Sequence, residues 1–443
     1  MTCDEKSDVT IIGGTRGLGR WIAEDLINNN ISVKITSRNK SSGEQIAKEI
    51  GASYSDNNIE AIQYSKIIIF AVPIEYMVDT IKEVAPHAPQ GSLLMDVTSV
   101  KRRPAEALEK YAPENCEILP CHPMFGPRVP SIDGQVIIIT PLKNRYNQYV
   151  EKIEKYLNEH NAKLVISTPE EHDKIMSVVQ GLTHFSYISI ASTIKKLDVS
   201  VKRSREFASP VYNLMLDMIS RIVSQNPYLY YSIQESNEIN VQTRRTLIDE
   251  SIKLCNYIEE GKVDEFINNM KNSAKHLDEF EDALGRSDKA ISILTQDVRY
   301  LKENIGNEVG LKHQYSNNIH VGIVKSVTSN NVTLIKDNKN EVKLKISNIR
   351  ILSDDELYKW KTENIKLYSY DISILTPKTA DENILKDIIS KIDEIVSVEL
   401  IDVYTGSQIK DNQKSLTYNY KTFNKKDNIK VENYIKATGA QIR

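Results

Sequence analysis

Short runs of β-branched and aliphatic residues alternate with helix-period stretches through the first third of the chain. Segments 9–12, 32–36, 66–71, 93–97, 117–119 and 136–140 are almost continuously apolar. That is the pattern of strands covered on both faces. Segments 18–28 and 76–84 instead carry apolar residues at helical spacing. Strand and helix in alternation predict a parallel sheet with right-handed crossovers. Beyond Pro141 a further helix, 146–158, and a strand, 163–166, complete a unit over residues 1–168.

From about Glu170 to Glu303 the pattern is almost wholly helical, which sets a second domain at 169–303. Residues 174–197 are apolar enough to predict burial on most sides. Leu277, Phe280, Leu284, Ile291, Leu294, Val298 and Leu301 recur at near-heptad spacing. Such a seam requires a partner helix, in this chain or in a second subunit. Residues 304–318 are polar, contain Gly306 and Gly310, and read as a boundary. Short alternating strands at 321–327, 331–336 and 341–345 predict a small β unit over 318–352. A last α+β module, 355–443, reads helix, strand, helix, strand, strand and a basic tail.

At 443 residues the chain is long for one domain. Its net charge of −3 argues against polyanion binding by bulk electrostatics. Cys3, Cys116, Cys121 and Cys255 form no CxxC pair and no metal-ligand spacing. They read as reduced thiols of a cytoplasmic protein, with no metal expected. The start of the chain is polar, and no apolar run reaches the roughly 18 residues of a membrane span, so neither a signal peptide nor a membrane helix is expected.

The chemistry begins at the first strand–helix turn. Gly13, Gly14, Thr15, Arg16, Gly17, Leu18 and Gly19 follow a strand and open a helix. Glycines there let the backbone turn sharply and approach a pyrophosphate at the positive helix end. Gly14, Gly17 and Gly19 are spaced three and two apart, which departs from strict G-x-G-x-x-G and leaves their individual roles open. A tight turn needs no ligand, but the surrounding βαβ unit favours nucleotide binding. After the second strand stand Ser37 and Arg38, where an NAD site usually has an acid about 20 residues beyond the glycines. A hydroxyl and a guanidinium suit a 2′-phosphate, which favours NADP while leaving NAD open. Arg38 as a plain solvated loop residue is the bland alternative. Ala71, Val72 and Pro73 are placed beside the cofactor by fold analogy alone.

Asp96-Val97-Thr98-Ser99-Val100-Lys101 and Cys121-His122-Pro123-Met124-Phe125-Gly126-Pro127 each follow a strand expected to be parallel, where open α/β sheets bind ligands. With Gly181-Leu182-Thr183-His184-Phe185 and the later Ser220-Arg221, these motifs resemble the prephenate dehydrogenase family over about residues 8–300. Phe125, in place of a small residue, and Tyr230, where the family often has Trp, depart from its pattern.

The resemblance implies a Rossmann domain followed by an all-helical dimerisation domain; the small β-rich unit and the ferredoxin-like α+β module expected after them lie outside it. It implies oxidative decarboxylation of prephenate with NAD(P) in tyrosine biosynthesis, in a homodimer. Arogenate dehydrogenase, or another small-acid dehydrogenase, is the alternative. His122 matches the catalytic histidine that takes the proton of the ring hydroxyl. Ser99 matches the serine that orients it, although a helix N-cap is an equally simple role. His184 matches a substrate-pocket histidine, where a core histidine is the commoner outcome. Arg221 matches the arginine that binds a substrate carboxylate, against a surface ion pair with Asp217. Tyr230 lines the same pocket. Arg128 is a candidate for a second carboxylate.

The last module weakly resembles the ferredoxin-like anticodon-binding domain of phenylalanyl-tRNA synthetase, through Asp402-Val403-Tyr404 and Lys414-Ser415-Leu416-Thr417-Tyr418. RNA binding would use Lys410, Lys414, Lys421, Lys425, Lys426 and Lys430, with Tyr418 and Tyr420 stacking on bases. A solvated lysine face is the favoured reading. Feedback by an amino acid is the other functional one.

Overall fold

The computed structural model describes residues 7–277, 279–336 and 340–443. Cys3 and the side chains of Phe280 and Leu294 lie outside the described set. The chain forms two units, Met1–Phe280 and Glu281–Arg443.

The first unit opens with β1 (Val9–Ile12), α1 (Gly17–Asn28), β2 (Val33–Thr36), α2 (Lys40–Ile50), β3 (Ser53–Ser55), α3 (Asn58–Ile62), β4 (Ile67–Phe70), α4 (Ile74–Val84), β5 (Leu93–Asp96), α5 (Arg102–Tyr111) and β6 (Glu117–Ile118). Asn39 and Asn57 cap α2 and α3 with their side-chain oxygens. The six strands run parallel in the order β3-β2-β1-β4-β5-β6. β1 is flanked by β2 on one side and β4 on the other, so the strand order reverses there and a crevice opens at the carboxyl ends. Ile11, Ile35, Ile68, Phe70 and Leu93 are fully buried beneath the helices on the two faces.

Residues 121–166 depart from the expectation of one parallel sheet. β7 (Cys121–Pro123), β8 (Val136–Ile139) and β9 (Lys163–Ile166) form a separate three-stranded sheet, with α6 (Gln148–Glu159) before β9. β7 pairs antiparallel with β8, and β8 pairs parallel with β9. His122 therefore follows the carboxyl end of parallel β6, as expected, and in addition sits in an antiparallel ladder with β8.

The helical part runs α7 (Pro169–Met176), a π-helical turn (Ser177–Leu182), α8 (Thr183–Lys196), α9 (Val201–Ser204), α10 (Pro210–Val223), α11 (Pro227–Ser236), α12 (Asn240–Glu259) and α13 (Val263–His276). Burial of 174–197 on most sides is not observed. Met176, Ser177 and Gly181 are buried, but α8 has no buried residue, because within the chain it packs chiefly on α10 and the π-helical turn.

In the second unit α14 (Phe280–Glu303) leads into β10 (Glu308–His313), β11 (Ile319–Val327), β12 (Asn331–Ile335), β13 (Glu341–Lys345) and β14 (Ile349–Ile351). The polar boundary expected at 304–318 in fact holds β10, which sits between β11 and β14. The β unit thus begins at Glu308, not at residue 318. Val298 and Leu301 of the predicted seam pack into its core, while Leu277 and Leu284 stay exposed.

After α15 (Asp354–Asn364), which carries a full capping box at Ser353 and Glu356, come β15 (Tyr368–Pro377), α16 (Glu382–Ser390), β16 (Ile395–Tyr404), β17 (Gln413–Thr422), α17 (Asp427–Ala437) and β18 (Gln441–Ile442). The sheet order β16-β17-β15-β18, all antiparallel, is the ferredoxin-like βαββαβ arrangement. The expected basic tail is a helix and an edge strand. Tyr418 and Tyr420 are buried at 0% and 1% exposure, packed with Val431 and Ile435 of α17. They cannot stack on bases, which removes the aromatic half of the RNA-binding expectation.

Candidate active site

The glycine turn joins β1 to α1 at the crevice. Gly13 has φ +86° and Gly17 has φ +55°, values that disfavour any side chain. A Cβ on Gly19 would lie 2.7 Å from the Gly13 carbonyl oxygen and 2.9 Å from Cβ of Ala71, so this glycine lets α1 close onto β4. Nothing stands within 4 Å of the Cβ position of Gly17. No side chain caps the start of α1, so its first N–H groups remain available to an anion. Thr15 is buried and Arg16 is exposed beside them. A dinucleotide pyrophosphate fits this cradle.

At the end of β2, the Ser37 hydroxyl donates to the Asn39 carbonyl at 3.0 Å and lies 3.3 Å from the Tyr54 hydroxyl. The Arg38 guanidinium lies over the Tyr76 ring, 5.1 Å from its centroid. Arg38 is exposed, and its contact with Tyr76 is a surface cation–π pair. Ala71, Val72 and Pro73 link β4 to α4, and the Ala71 amide donates to the Ile12 carbonyl.

A cavity of about 360 Å³ gathers the five sequence-predicted residues Ser99, His122, His184, Arg221 and Tyr230. Phe125, Gln180, Tyr187, Met218 and Leu229 also line it. Arg128 is exposed and lies outside this lining. Asp217 pairs with Arg205, not with Arg221. Among the described residues no carboxylate pairs with Arg221, which leaves its guanidinium available to a ligand. His184 and Tyr230 meet edge to face, centroids 4.8 Å apart. Nδ1 of His184 is buried without a partner, and burial lowers the pKa of this ring. Burial raises the Tyr230 phenol, with Arg221 pulling the other way.

Ser99 makes no hydrogen bond to His122, and it does not cap α5 either. The cap residue is Lys101, and the amides of Lys101 and Arg102 donate to Oδ1 and Oδ2 of Asp173 at 2.8 and 3.0 Å.

The surroundings of His122 define its chemistry. Its Nδ1 lies 2.9 Å from Nε2 of His172, and Nδ1 of His172 lies 2.7 Å from Oδ1 of Asp173. An ionised carboxylate only accepts, so His172 carries its proton on Nδ1 and offers a lone pair at Nε2. His122 must then donate from Nδ1, which leaves its Nε2 as a lone pair on the cavity side. The Gln180 amide nitrogen stands 3.3 Å from that Nε2. Burial holds His122 well below the ordinary imidazole value, and Lys101 and His172 push in the same direction. Lys101 is itself fully buried and gives its ammonium to Asp96 and to the Cys121 carbonyl. A neutral imidazole with a fixed acceptor atom in a cavity wall is equipped as a general base.

Sequence reasoning missed His172, Asp173 and Gln180. The Thr168-Pro169 helix start marks α7, and His172 with Asp173 lies on its first turns, but nothing local ties them to residue 122. Among the described residues no group of three His, Cys, Asp or Glu side chains could hold a metal ion, and no helix is long and apolar enough to cross a membrane.

Residues 22–166 match the prephenate dehydrogenase nucleotide-binding domain, and residues 168–272 match the prephenate dehydrogenase dimerization domain. A probable arogenate/prephenate dehydrogenase of Methanocaldococcus jannaschii is 39% identical over 426 residues, covering 96% of this chain and 95% of that one. The chain belongs to the prephenate dehydrogenase family. The archaeal match is too long to omit the second unit, so those modules are shared with that relative. The T-protein of Enterobacter agglomerans is 27% identical over 268 residues, 60% of this chain and 66% of its own. A crystal structure of prephenate dehydrogenase from A. aeolicus, in complex with hydroxyphenyl propionate and NAD+, covers 63% of this chain and 100% of its own, at TM-score 0.49 and 17% identity.

Proposed function

We propose that the protein oxidatively decarboxylates prephenate to 4-hydroxyphenylpyruvate in tyrosine biosynthesis, with arogenate as the alternative substrate. The carrying observation is the neutral, buried His122, whose Nε2 lone pair faces a cavity also lined by Ser99, His184, Arg221 and Tyr230. A nicotinamide dinucleotide, when bound at residues 13–19, supplies the hydride acceptor. His122 takes the proton from the ring hydroxyl oxygen as hydride leaves the carbon that bears it. Ser99 and Gln180 hold the hydroxyl. Arg221 binds a carboxylate through its planar fork of donors, and His184 with Tyr230 shapes the pocket wall. General-base help of this kind is worth about 10²–10⁴ in rate.

Ser37 and Arg38 favour NADP over NAD, because a hydroxyl and a guanidinium just after β2 suit a 2′-phosphate. The sparse burial of α8 supports a homodimer assembled through the helical domain. Free Cys116, Cys121 and Cys255 fit a reducing, cytoplasmic setting.

The test mixes the full chain with prephenate or arogenate and either dinucleotide, and follows the absorbance of the reduced nicotinamide. Turnover of one substrate is expected. Turnover of neither would reject the proposal.

A further inference from the structure

The proposed reaction, on which this inference rests, consumes no net proton. A prephenate dianion and oxidised nicotinamide dinucleotide become a phenol monoanion, carbon dioxide and reduced dinucleotide. The hydroxyl proton leaves as hydride departs from the ring carbon. The carbon–carbon bond to the ring carboxylate then breaks, its electron pair enters the ring, and the phenolate oxygen regains a proton. The proton must be held between these events, and it need not reach solvent.

The structure around His122 is closed in the way such a cycle requires. His122 is 3% exposed and His172 is 1% exposed. A positive charge left on His122 would stand beside the buried ammonium of Lys101, which Asp96 and the Cys121 carbonyl already engage. His172 offers a better place, because its far nitrogen faces the Asp173 carboxylate at 2.7 Å. That carboxylate is fixed by two backbone N–H groups at the start of α5. Arg102, the remaining cation there, is exposed and turned to Glu106 and Glu238.

We propose that His172 is a positioning residue that stores the substrate's proton during the reaction, through His122. The hydroxyl proton binds Nε2 of His122 while the Nδ1 proton of His122 crosses to Nε2 of His172. The charge then rests on His172 against Asp173. Both hops reverse when the phenolate forms, so protons and charge balance over the cycle. Of the two histidines only His122 touches substrate. His172 sets its tautomer and takes its excess charge.

Two measurements test this. Nitrogen-15 spectra of the full chain without ligands, assigned with His122→Gln and His172→Gln, report which ring nitrogens carry protons. Protonated Nδ1 on both rings is expected, and a bare Nδ1 on either overturns the wiring. The second is kinetic. In His172→Gln the amide oxygen can still accept from Nδ1 of His122, so orientation is kept, but the amide cannot hold a proton. We expect kcat to fall on the order of 10²-fold with KM unchanged, within the range for positioned proton transfer. The solvent proton inventory should change from curved, with two protons in flight, to linear. A variant with wild-type kcat would show that orientation is the whole role. If that variant fails to fold, a linear inventory in the wild-type enzyme overturns the store just as well, and a curved one supports it. Wild-type turnover of neither substrate rejects the activity and the store together, whereas normal turnover with the wrong tautomers rejects the store alone.

Discussion

The ring of Phe125 meets the Trp21 indole edge to face, with centroids 5.1 Å apart and planes at 69°. Trp21 belongs to α1, the helix of the glycine turn, and its Nε1 donates to the Val129 carbonyl at 2.9 Å. Phe125, which lines the cavity, therefore leans on the helix of the glycine turn and ties the two together. Phe125→Ala should cost about 2 kcal/mol, less than a fully buried phenylalanine because the side chain is half-buried. It should also weaken dinucleotide binding. Urea unfolding and a dinucleotide titration check both, and an unchanged midpoint would show that the pair carries no packing energy.

Among the described residues Arg221 has no carboxylate partner, so its replacement should act on the ligand. Arg221→Lys keeps the charge and loses the bidentate fork. KM for prephenate should rise at least about tenfold with kcat near wild type, the signature of lost uniform binding. A fall in kcat at constant KM would place Arg221 in the transition state instead.

Arg38→Ala removes the guanidinium that lies over the Tyr76 ring. NADP affinity should drop by roughly tenfold, about 1.4 kcal/mol, while NAD affinity stays the same. Equal losses for the two dinucleotides, measured by fluorescence titration, would remove Arg38 from the 2′-phosphate.

The depressed pKa of His122 fixes the sign of a pH effect. Unfolded imidazole protonates near its ordinary value of about 6.5, and the folded ring does not. The unfolded state then binds the extra proton, so this contribution to stability is whole above about pH 6.5. It is lost as pH falls from there toward the lower folded value. His122→Asn should narrow the difference in Tm between about pH 7.5 and about pH 5.5. For the same reason kcat/KM should show no acid break near 6.5 from this group. A break there would mean that His122 titrates as if it were exposed.

The sequence announces what continuous apolar runs can announce. β1, β2, β4, β5 and β8 stand where Ile, Val and Leu cluster. β3, Ser-Tyr-Ser at the sheet edge, has no such run. β7 is three residues long and contains a proline. β10 is interrupted by Gly310 and bordered by Asn307, which reads as a loop until a neighbouring strand supplies its partners. At and within α17 the lysines at 426 (the N-cap), 430 and 436 outnumber Val431 and Ile435, yet those two apolar residues pack on Tyr418 and Tyr420. Those tyrosines sit two apart in a strand, so one face had to take both. The five cavity residues came from motifs. The His122–His172–Asp173 chain did not, because 50 residues separate the two histidines and only the fold brings them together.

The antiparallel pairing of His122 with Ile138 also limits how this gene can change. A strand presents alternate residues to opposite faces, and a slip of one position exchanges them. One inserted codon between Cys121 and His122 would aim the imidazole away from the cavity while leaving every residue of the motif present. The two residues that join β6 to β7, Leu119 and Pro120, are buried and cannot absorb the slip, so a chain carrying the intact HPMFGP text could still be a dead enzyme.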